Sequence, residues 1–558
     1  MMSEKNGLVK NASFLMMATL ISRVIGLLYR SPLGVVLGTV GLGYYGYANN
    51  VYVILLLISA YSIPMAVSKV VSERLALKQY RNAQKVFHGA LLYAMIVGGV
   101  AALVAFFFGN YLLPVNQQQA LLALRMLAPT IFFSAILGVM RGYFQAHSTM
   151  MPTSISQILE QIANAIVSIL AAWLLIKKFA VDEETHAIYG AAGGAMGTGA
   201  GVLTGLAFML IVYAANRKSI HKKIARDKHT QEESMVGVMK IIFLMVTPII
   251  FNTFVYNASS YLDSKIFSDI LNMKGIAAKV VSGQWGEYSN YYITLINIPL
   301  ALSSATSSAM MPEIATRFIK NEYKEANEKI NEGIQLTMFL CIPAAVGLAV
   351  LAFPITKVLF PSSGTLSGQL LLAGSITVIF SALSTITNGV LQAIGKARIP
   401  LRNSAISLVL NVITVAVCSF AAPQMGVFSV LIASLVFAVA MCVLNAMSLK
   451  KYLGHKNDFV NGYGKPLAAA AGMGVVAWIV YYGLHLLGAD PYRVSGCFCN
   501  SGSTGISDFV CDCYENNGGT DAAVPDGKLC GESATDPESI PIKTGMGFPE
   551  IKQLEYGW

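Results

Sequence analysis

The sequence is short of charge: only 12% of its 558 residues are Asp, Glu, Lys or Arg, about half of the ~25% usual in soluble domains. With 55% apolar residues and a mean hydropathy of +0.59, that shortage excludes a cytosolic enzyme, a nucleic-acid-binding domain and a disordered scaffold. Acidic residues are the scarcer sign, 29 against 39 Lys and Arg, which fits basic loops beside a membrane rather than affinity for nucleic acid. There is no Walker-type phosphate loop, so ATP hydrolysis by this chain is not expected. His88, His147, His186 and His485 do not fall at metal-ligand spacing, and no resident metal or cofactor is expected.

What the chain has instead is long apolar runs. Thirteen can be read, at 12–37, 43–66, 87–113, 120–140, 155–176, 187–213, 241–262, 288–311, 334–354, 369–392, 400–421, 425–448 and 466–487. Each approaches or exceeds the ~20 residues that carry a helix across a bilayer, so an all-α polytopic membrane protein is expected. With the N-terminus in the cytoplasm, the inner segments collect 26 Lys and Arg and the outer ones seven. The positive-inside rule therefore places this multi-pass chain in the cytoplasmic membrane with its N-terminus inside. The first run is too long for a cleavable signal and carries Arg23 in its middle.

The composition breaks at residue 496. From Gly496 to Trp558 the chain holds three Lys and Arg, ten Asp and Glu, ten Gly and five of its eight Cys. Cys497/Cys499 and Cys511/Cys513 are C-x-C pairs, whereas metal knuckles use wider spacing with supporting His. A shifted reading frame explains the tail better. From Gly496 to Tyr514 no residue requires a purine wobble base, while Cys497, Phe498, Cys499, Asn500, Asp508, Phe509, Cys511, Asp512, Cys513 and Tyr514 all require a pyrimidine. Moved one base later, this stretch encodes an apolar segment long enough to be a fourteenth span. Cys341, Cys418 and Cys442 lie in apolar runs and read as packing residues.

Two halves of the chain repeat. Gly142-Tyr143-Phe144-Gln145-Ala146 and Gly389-Val390-Leu391-Gln392-Ala393 share G-x-x-Q-A, each followed by a proline (Pro152, Pro400) and by Asn nineteen residues after the Gln (Asn164, Asn411), at an offset of 247. A second pair, beginning at Tyr80 and Tyr323, lies at an offset of 243. Spans 1–6 and 7–12 therefore read as duplicated six-helix lobes. Their parallel insertion suits a transporter with its cavity between the lobes. The expected organisation is an N-lobe at 1–216, a basic linker at 217–239, a C-lobe at 240–449, span 13 within 450–495, and the tail at 496–558.

Ionisable residues inside spans are costly and call for a reason. Arg23 and Arg30 are seven residues apart on span 1 and share a helix face within about 20°. They either line a water-filled cavity, where guanidinium groups would take phosphate bidentately, or bond to carbonyls and carboxylates as bundle glue. Arg125, near the outer end of span 4, is a cavity residue or an interfacial anchor. Glu160, with Gln157 and Asn164, makes a polar stripe on span 5 that faces a cavity or bonds between helices. Asp263, at the outer end of span 7, either pairs with an Arg or binds a coupling cation, or sits at the interface near Lys265. Glu73, at the inner end of span 2, is a solvated loop charge or a lobe-closing contact.

Four segments resemble the multidrug/oligosaccharidyl-lipid/polysaccharide (MOP) exporter superfamily, in its stage V sporulation protein B and MurJ-like branch. They are S-R-V-I-G-L-L-Y-R-S-P-L at 22–33, S-K-V-V-S-E-R-L-A-L-K-Q-Y-R-N-A at 68–83, R-G-Y-F-Q-A-H-S-T-M-M-P-T-S-I-S-Q-I-L-E-Q at 141–161, and L-Q-A-I-G-K-A-R-I-P-L-R-N at 391–403. The resemblance implies fourteen helices in two lobes, a cytoplasmic N-terminus and export of undecaprenyl-linked cell-wall precursors; a lipid II-like substrate moved by alternating access, and a monomer, are expected. It also implies that family cavity arginines map to Arg23 and Arg30. Gram-negative lipid II flippases have Arg-Asp one residue earlier in the 22–33 motif, whereas here Arg30 is followed by Ser31. Another lipid-linked polysaccharide unit, a drug/cation antiporter and a sporulation scaffold are the alternatives; cationic drugs would favour buried carboxylates over buried arginines.

Overall fold

The computed structural model describes residues 2–486 except 62, 148, 228–232 and 456–457. The expected fourteenth span, the C-x-C tail and Arg493 lie outside the described residues.

The first helix, α1 (Met2–Leu56), is 55 residues long but bends at Gly38, where φ is 67° and ψ 171°. A residue with a Cβ is strained in that conformation, so the glycine divides α1 into the first two passes at the gap between the expected runs. The second pass continues through a π-helical turn (Leu57–Tyr61) into α2 (Ile63–Ala76). The N-lobe is completed by α3 (Tyr80–Phe107), the short α4 (Gly109–Leu112), α5 (Leu121–Ala146), α6 (Met151–Phe179) and α7 (Glu183–Arg226). At the start of α7, Thr185 N–H donates to the Asp182 carboxylate at 2.8 Å, and the Thr185 hydroxyl accepts in return from Asp182 N–H, closing a capping box.

The second lobe contains α8 (Met235–Met273), α9 (Ala278–Gly286), a π segment (Glu287–Tyr292), α10 (Ile293–Ile319), α11 (Tyr323–Val350), α12 (Ala352–Leu359) and α13 (Thr365–Gly374). It ends with α14 (Ile376–Ala393), α15 (Arg398–Ala421) and α16 (Phe428–Leu453), after which α17 (Lys465–Leu486) follows. Among the described residues, eleven helices are long and apolar enough to cross a membrane, one of them the stretch Met17–Ala76 that Gly38 folds into two. At 39 residues, α8 rises about 58 Å, ample for a further crossing. Among the described residues the thirteen runs read from the sequence fall on helices, with 369–392 divided between α13 and α14.

Part of the expected basic linker is helical. Residues 217–226 continue α7 and 235–239 open α8, so only 227–234 connect the lobes. The stretch 217–226 has neither Pro nor Gly and is rich in Lys and Arg, residues that prolong a helix readily once it is nucleated.

Close packing repeats between the lobes. A Cβ on Gly142 of α5 would lie 2.6 Å from the Pro64 carbonyl oxygen on α2, and one on Gly389 of α14 would strike the Ser307 hydroxyl on α10. Gly142 and Gly389 are 247 residues apart, and Pro64 and Ser307 are 243 apart. The two sequence offsets thus meet in one conserved helix crossing within each lobe.

Candidate functional site

The lobes meet at the end marked by Gly38. Asn290 Nδ2 donates to the Leu42 carbonyl at 2.9 Å, and the Ser282 hydroxyl to Val40 at 3.2 Å. Trp285 stacks on Tyr47 with centroids 5.6 Å apart. Val115 N–H donates to Asp269 at 2.9 Å, Gln117 Nε2 to the Ala278 carbonyl at 3.0 Å, and Lys279 pairs with Glu183. At the opposite, linker end, Arg74 Nε bonds Glu233 at 2.7 Å, Glu233 N–H donates to Asn82 at 3.0 Å, and Arg81 N–H donates to Asp227 at 3.0 Å. These contacts bind the connecting segment to the N-lobe.

Between the lobes lies a cavity of about 470 Å³. Its walls are the first pass of α1 (Arg23, Tyr29, Arg30), α5 (Arg141), α6 (Gln157, Glu160, Asn164), α7 (Thr198) and α10 (Thr294, Asn297). Three guanidinium groups and one carboxylate thus share a single cavity. Arg23 donates to the Asn297 carbonyl at 2.9 Å, and Arg30 donates to the Asn290 carbonyl at 3.2 Å and to the Thr294 hydroxyl. Both arginines therefore reach from the N-lobe to the helical segment 287–319 of the C-lobe. Backbone carbonyls and a hydroxyl carry no net charge, so an anion entering the cavity competes favourably for these donors.

Arg23, Arg30 and Glu160 from the sequence reading come together here, with Gln157 and Asn164 beside Glu160. The partner of Glu160 is Arg141: its terminal nitrogen approaches Glu160 Oε2 to 2.7 Å, and its Nε donates to the Ser156 hydroxyl at 3.0 Å. Sequence reasoning counted Arg141 among the loop charges because it ended span 4 at residue 140, whereas α5 runs on to Ala146. Asn164 Nδ2 donates to the Tyr29 hydroxyl at 3.3 Å and holds that ring next to Arg30.

The other three candidates lie elsewhere. Arg125 is exposed on α5, its guanidinium carbon 5.8 Å from the centroid of the Phe106 ring, a cation–π contact outside the cavity. Glu73 is exposed at the end of α2, 3.8 Å from Arg74, whose nearer partner is Glu233. Asp263 is only 2% exposed. Its Oδ2 accepts from Asn411 Nδ2 at 3.3 Å, and its Oδ1 is buried without a hydrogen-bond partner. It sits in the C-lobe and contributes nothing to the cavity wall.

A buried carboxylate that the sequence reading did not single out is Glu287, just before the expected start of span 8. Its Oε2 accepts from Ser367 N–H at 2.9 Å and from the Ser367 hydroxyl at 2.7 Å. It thereby satisfies the first turn of α13, where a helix favours negative charge. Among the described residues no group of three or more His, Cys, Asp and Glu is arranged to hold a metal ion.

Comparison with known proteins places these features in context. The family model described as polysaccharide biosynthesis protein matches residues 8–318, and the MatE model matches residues 248–417. The lipid II flippase MurJ of Bacillus subtilis (strain 168) is 26% identical over 422 residues, covering 73% of this chain and 75% of that protein. Stage V sporulation protein B of the same organism is 22% identical over 457 residues, 80% of this chain and 85% of that one. A solved structure of lipid II flippase MurJ in an inward closed conformation superposes with a TM-score of 0.61 at 15% identity, covering 87% of this chain and 98% of its own. At that identity the superposition speaks for the fold, which is that of the MOP superfamily.

Proposed function

We propose, from the premise that this chain belongs to the polysaccharide biosynthesis protein family, that it flips an undecaprenyl-linked, lipid II-like cell-wall precursor outward across the cytoplasmic membrane. The family and its relatives make the chain a membrane transporter of the lipid-linked precursor kind rather than an enzyme. The observation that carries the finer reading is the excess of guanidinium in the cavity, Arg23, Arg30 and Arg141 against the single carboxylate Glu160. A pyrophosphate brings two or more negative charges, and guanidinium groups match its oxygens bidentately. A cationic drug would meet the opposite charge balance.

In this reading Arg23 and Arg30 exchange neutral acceptors on the C-lobe for the pyrophosphate. Gln157 and Asn164 supply the uncharged donors and acceptors that sugars require, and the polyprenyl tail stays in the bilayer. With basic segments in the cytoplasm, the linker end faces inward. The lobe contacts at the Gly38 end then close the outer side, as an inward-facing carrier requires. Rocking of the lobes exposes the headgroup outside, driven by membrane potential or a coupling cation; Asp263, with its unpartnered oxygen, is the C-lobe candidate for sensing that cation, and Glu73 the candidate gate at the inner rim. Arg125 is assigned an interfacial role.

Reconstitution tests the charge argument. The protein in liposomes should accelerate outward movement of a polyprenyl-pyrophosphate-linked glycan, followed by accessibility of its sugar to an external reagent. It should leave the same glycan on an uncharged polyprenyl ether unmoved. Equal acceleration of both lipids would refute recognition through the pyrophosphate.

A further inference from the structure

A second cavity, of about 210 Å³, lies in the N-lobe at the linker end. It is lined by Tyr80 and Gln84 of α3, by Tyr143 and His147 at the end of α5, and by Ser219 and Lys223 of the α7 extension. No Asp or Glu lines it. Nearby, Asp227 accepts from Arg81 N–H at 3.0 Å, and Glu233 pairs with Arg74 at 2.7 Å. The α7 extension adds five Lys and Arg between 217 and 226 with no acidic residue among them. The lining itself therefore carries a cation, Lys223, and no carboxylate.

The imidazole of His147 is fixed within it. Its Nδ1 lies 2.9 Å from the Tyr143 carbonyl oxygen, which only an N–H can satisfy, and its ring packs 4.6 Å from the Tyr143 ring. The proton assigned to Nδ1 leaves Nε2 as the atom that can gain or lose one. Gln84 is spent on its neighbours: its Nε2 donates to Tyr213 at 2.8 Å, and its Oε1 accepts from Tyr143 at 3.1 Å. Thr149 is spent on the Phe144 carbonyl and Asn216 Nδ2 on the Val212 carbonyl; the donors that can meet a ligand are the Lys223 ammonium, the Tyr80 and Ser219 hydroxyls and, once protonated, His147 Nε2.

We propose that this cavity is a second anion site, separate from the transport cavity, that takes a phosphate ester, with Lys223 supplying the charge and His147 taking up a proton as the ester binds. Burial and the neighbouring Lys223 cation hold the empty His147 below the usual histidine range, so it is neutral at neutral pH. Tyr80 on α3, Tyr143 on α5 and Lys223 on α7 are the titratable groups facing it. An anion beside Nε2 offsets Lys223 and favours the imidazolium. Binding therefore consumes a proton, and affinity rises as pH falls until the empty site is itself protonated. The site lies where α5 ends and the long α7 leaves the apolar zone, so the ester can come from a lipid headgroup or from a soluble phosphate. Lys223 is four residues before Asp227, the first residue after the α7 helix, so an occupant would sit beside the start of the connection between the lobes.

Glycerophosphoglycerol is a suitable soluble probe because its diester does not titrate near neutrality. Calorimetry on the full chain in detergent should show binding that strengthens between about pH 8 and about pH 6, by no more than about tenfold per pH unit for one proton. Lys223→Ala should weaken it about tenfold, the effect of losing one charge-assisted contact. Lys223→Arg, which preserves the charge, should retain it. His147→Gln should still bind, but without the pH dependence. For the lipid source, nanodiscs of phosphatidylglycerol should protect His147 from diethylpyrocarbonate, read by mass spectrometry, relative to phosphatidylcholine nanodiscs. Binding of the soluble diester assigns the site to free phosphate esters, and protection by phosphatidylglycerol alone assigns it to lipid. The proposal is overturned if neither probe acts, if Lys223→Ala binds like the wild type, or if His147→Gln keeps the full pH dependence. None of these measurements reads transport, so they stand apart from the fate of the flippase reading.

Discussion

At five positions related by one offset of 247 residues, the N-lobe carries Arg141, Ser156, Glu160, Asn164 and Thr198 where the C-lobe carries Asn388, Asn403, Ser407, Asn411 and Asn445. In the N-lobe, Arg141 binds Ser156 and Glu160, and Glu160, Asn164 and Thr198 line the cavity with it. In the C-lobe three of these places, Asn388, Asn403 and Asn445, form a neutral amide cluster. Asn403 Nδ2 donates to Asn445 Oδ1 at 2.9 Å, and Asn445 Nδ2 donates to Asn388 at 2.8 Å and to Thr387 at 3.0 Å. Duplication preserved the helix crossings while the polar positions diverged, one lobe toward a charged, open wall and the other toward uncharged, buried glue. The shared Asn illustrates the divergence, for Asn164 steadies Tyr29 beside Arg30 whereas Asn411 meets the carboxylate of Asp263.

The largest expected effect of breaking this asymmetry is at Arg30. Arg30→Ala removes a cavity cation and its bond to the C-lobe, and flipping in liposomes should fall by at least about tenfold, a single charge-assisted contact being worth that much. Insertion and thermal stability should change little. Next comes the double change Arg141→Asn with Glu160→Ser, which gives the N-lobe the residue types of the C-lobe. The protein should remain folded, since no charge is left alone, but transport should drop. Arg141→Ala alone should destabilise by about 1–3 kcal/mol, because Glu160 then loses its partner in a partly buried place. A thermal-shift comparison of single and double variants separates the two costs.

Much of this arrangement was legible in the sequence because charge is so rare in it. Arg23 and Arg30 stood out in an apolar run with heptad spacing, and Gly38 fell in the break between two runs. Arg141 did not stand out, since a cation just past the end of an apolar run looks like any loop residue; only the length of α5 places it in the cavity wall. Glu287 likewise sat one residue before a run whose start depends on the π segment. Which acceptors Arg23 and Arg30 find was not legible at all, because backbone carbonyls of a distant helix leave no mark in side-chain pattern.

On the C-lobe side, Asn445→Ala should cost about 1–3 kcal/mol of stability by removing the donor to Asn388 and the shorter of the two acceptors of Asn403, which keeps Ser448, measured by thermal unfolding in detergent, while leaving the selectivity for a pyrophosphate-linked substrate intact. A selective loss of substrate charge recognition in this variant would blur the division between lobes. The smallest effect is expected at Asp182, outside the membrane spans. Its carboxyl is held below the usual range by the Thr185 hydroxyl and N–H. A depressed folded pKa means that its helix-capping contribution is complete above the unfolded value near ~3.9 and fades as pH falls through the folded one. Asp182→Asn should therefore flatten the acid limb of the stability curve and leave neutral-pH transport unchanged.

The central claim, that the N-lobe arginines recognise an anionic headgroup, is tested most directly at Arg23, whose guanidinium bridges to Asn297 across the cavity. Flipping of a fluorescent polyprenyl-pyrophosphate-linked glycan should be followed in liposomes holding equal amounts of wild type, Arg23→Ala and Arg23→Lys. The account predicts loss of flipping in Arg23→Ala and partial recovery in Arg23→Lys, because an ammonium keeps the charge but not the bidentate fork. Full activity of correctly inserted Arg23→Ala would contradict it.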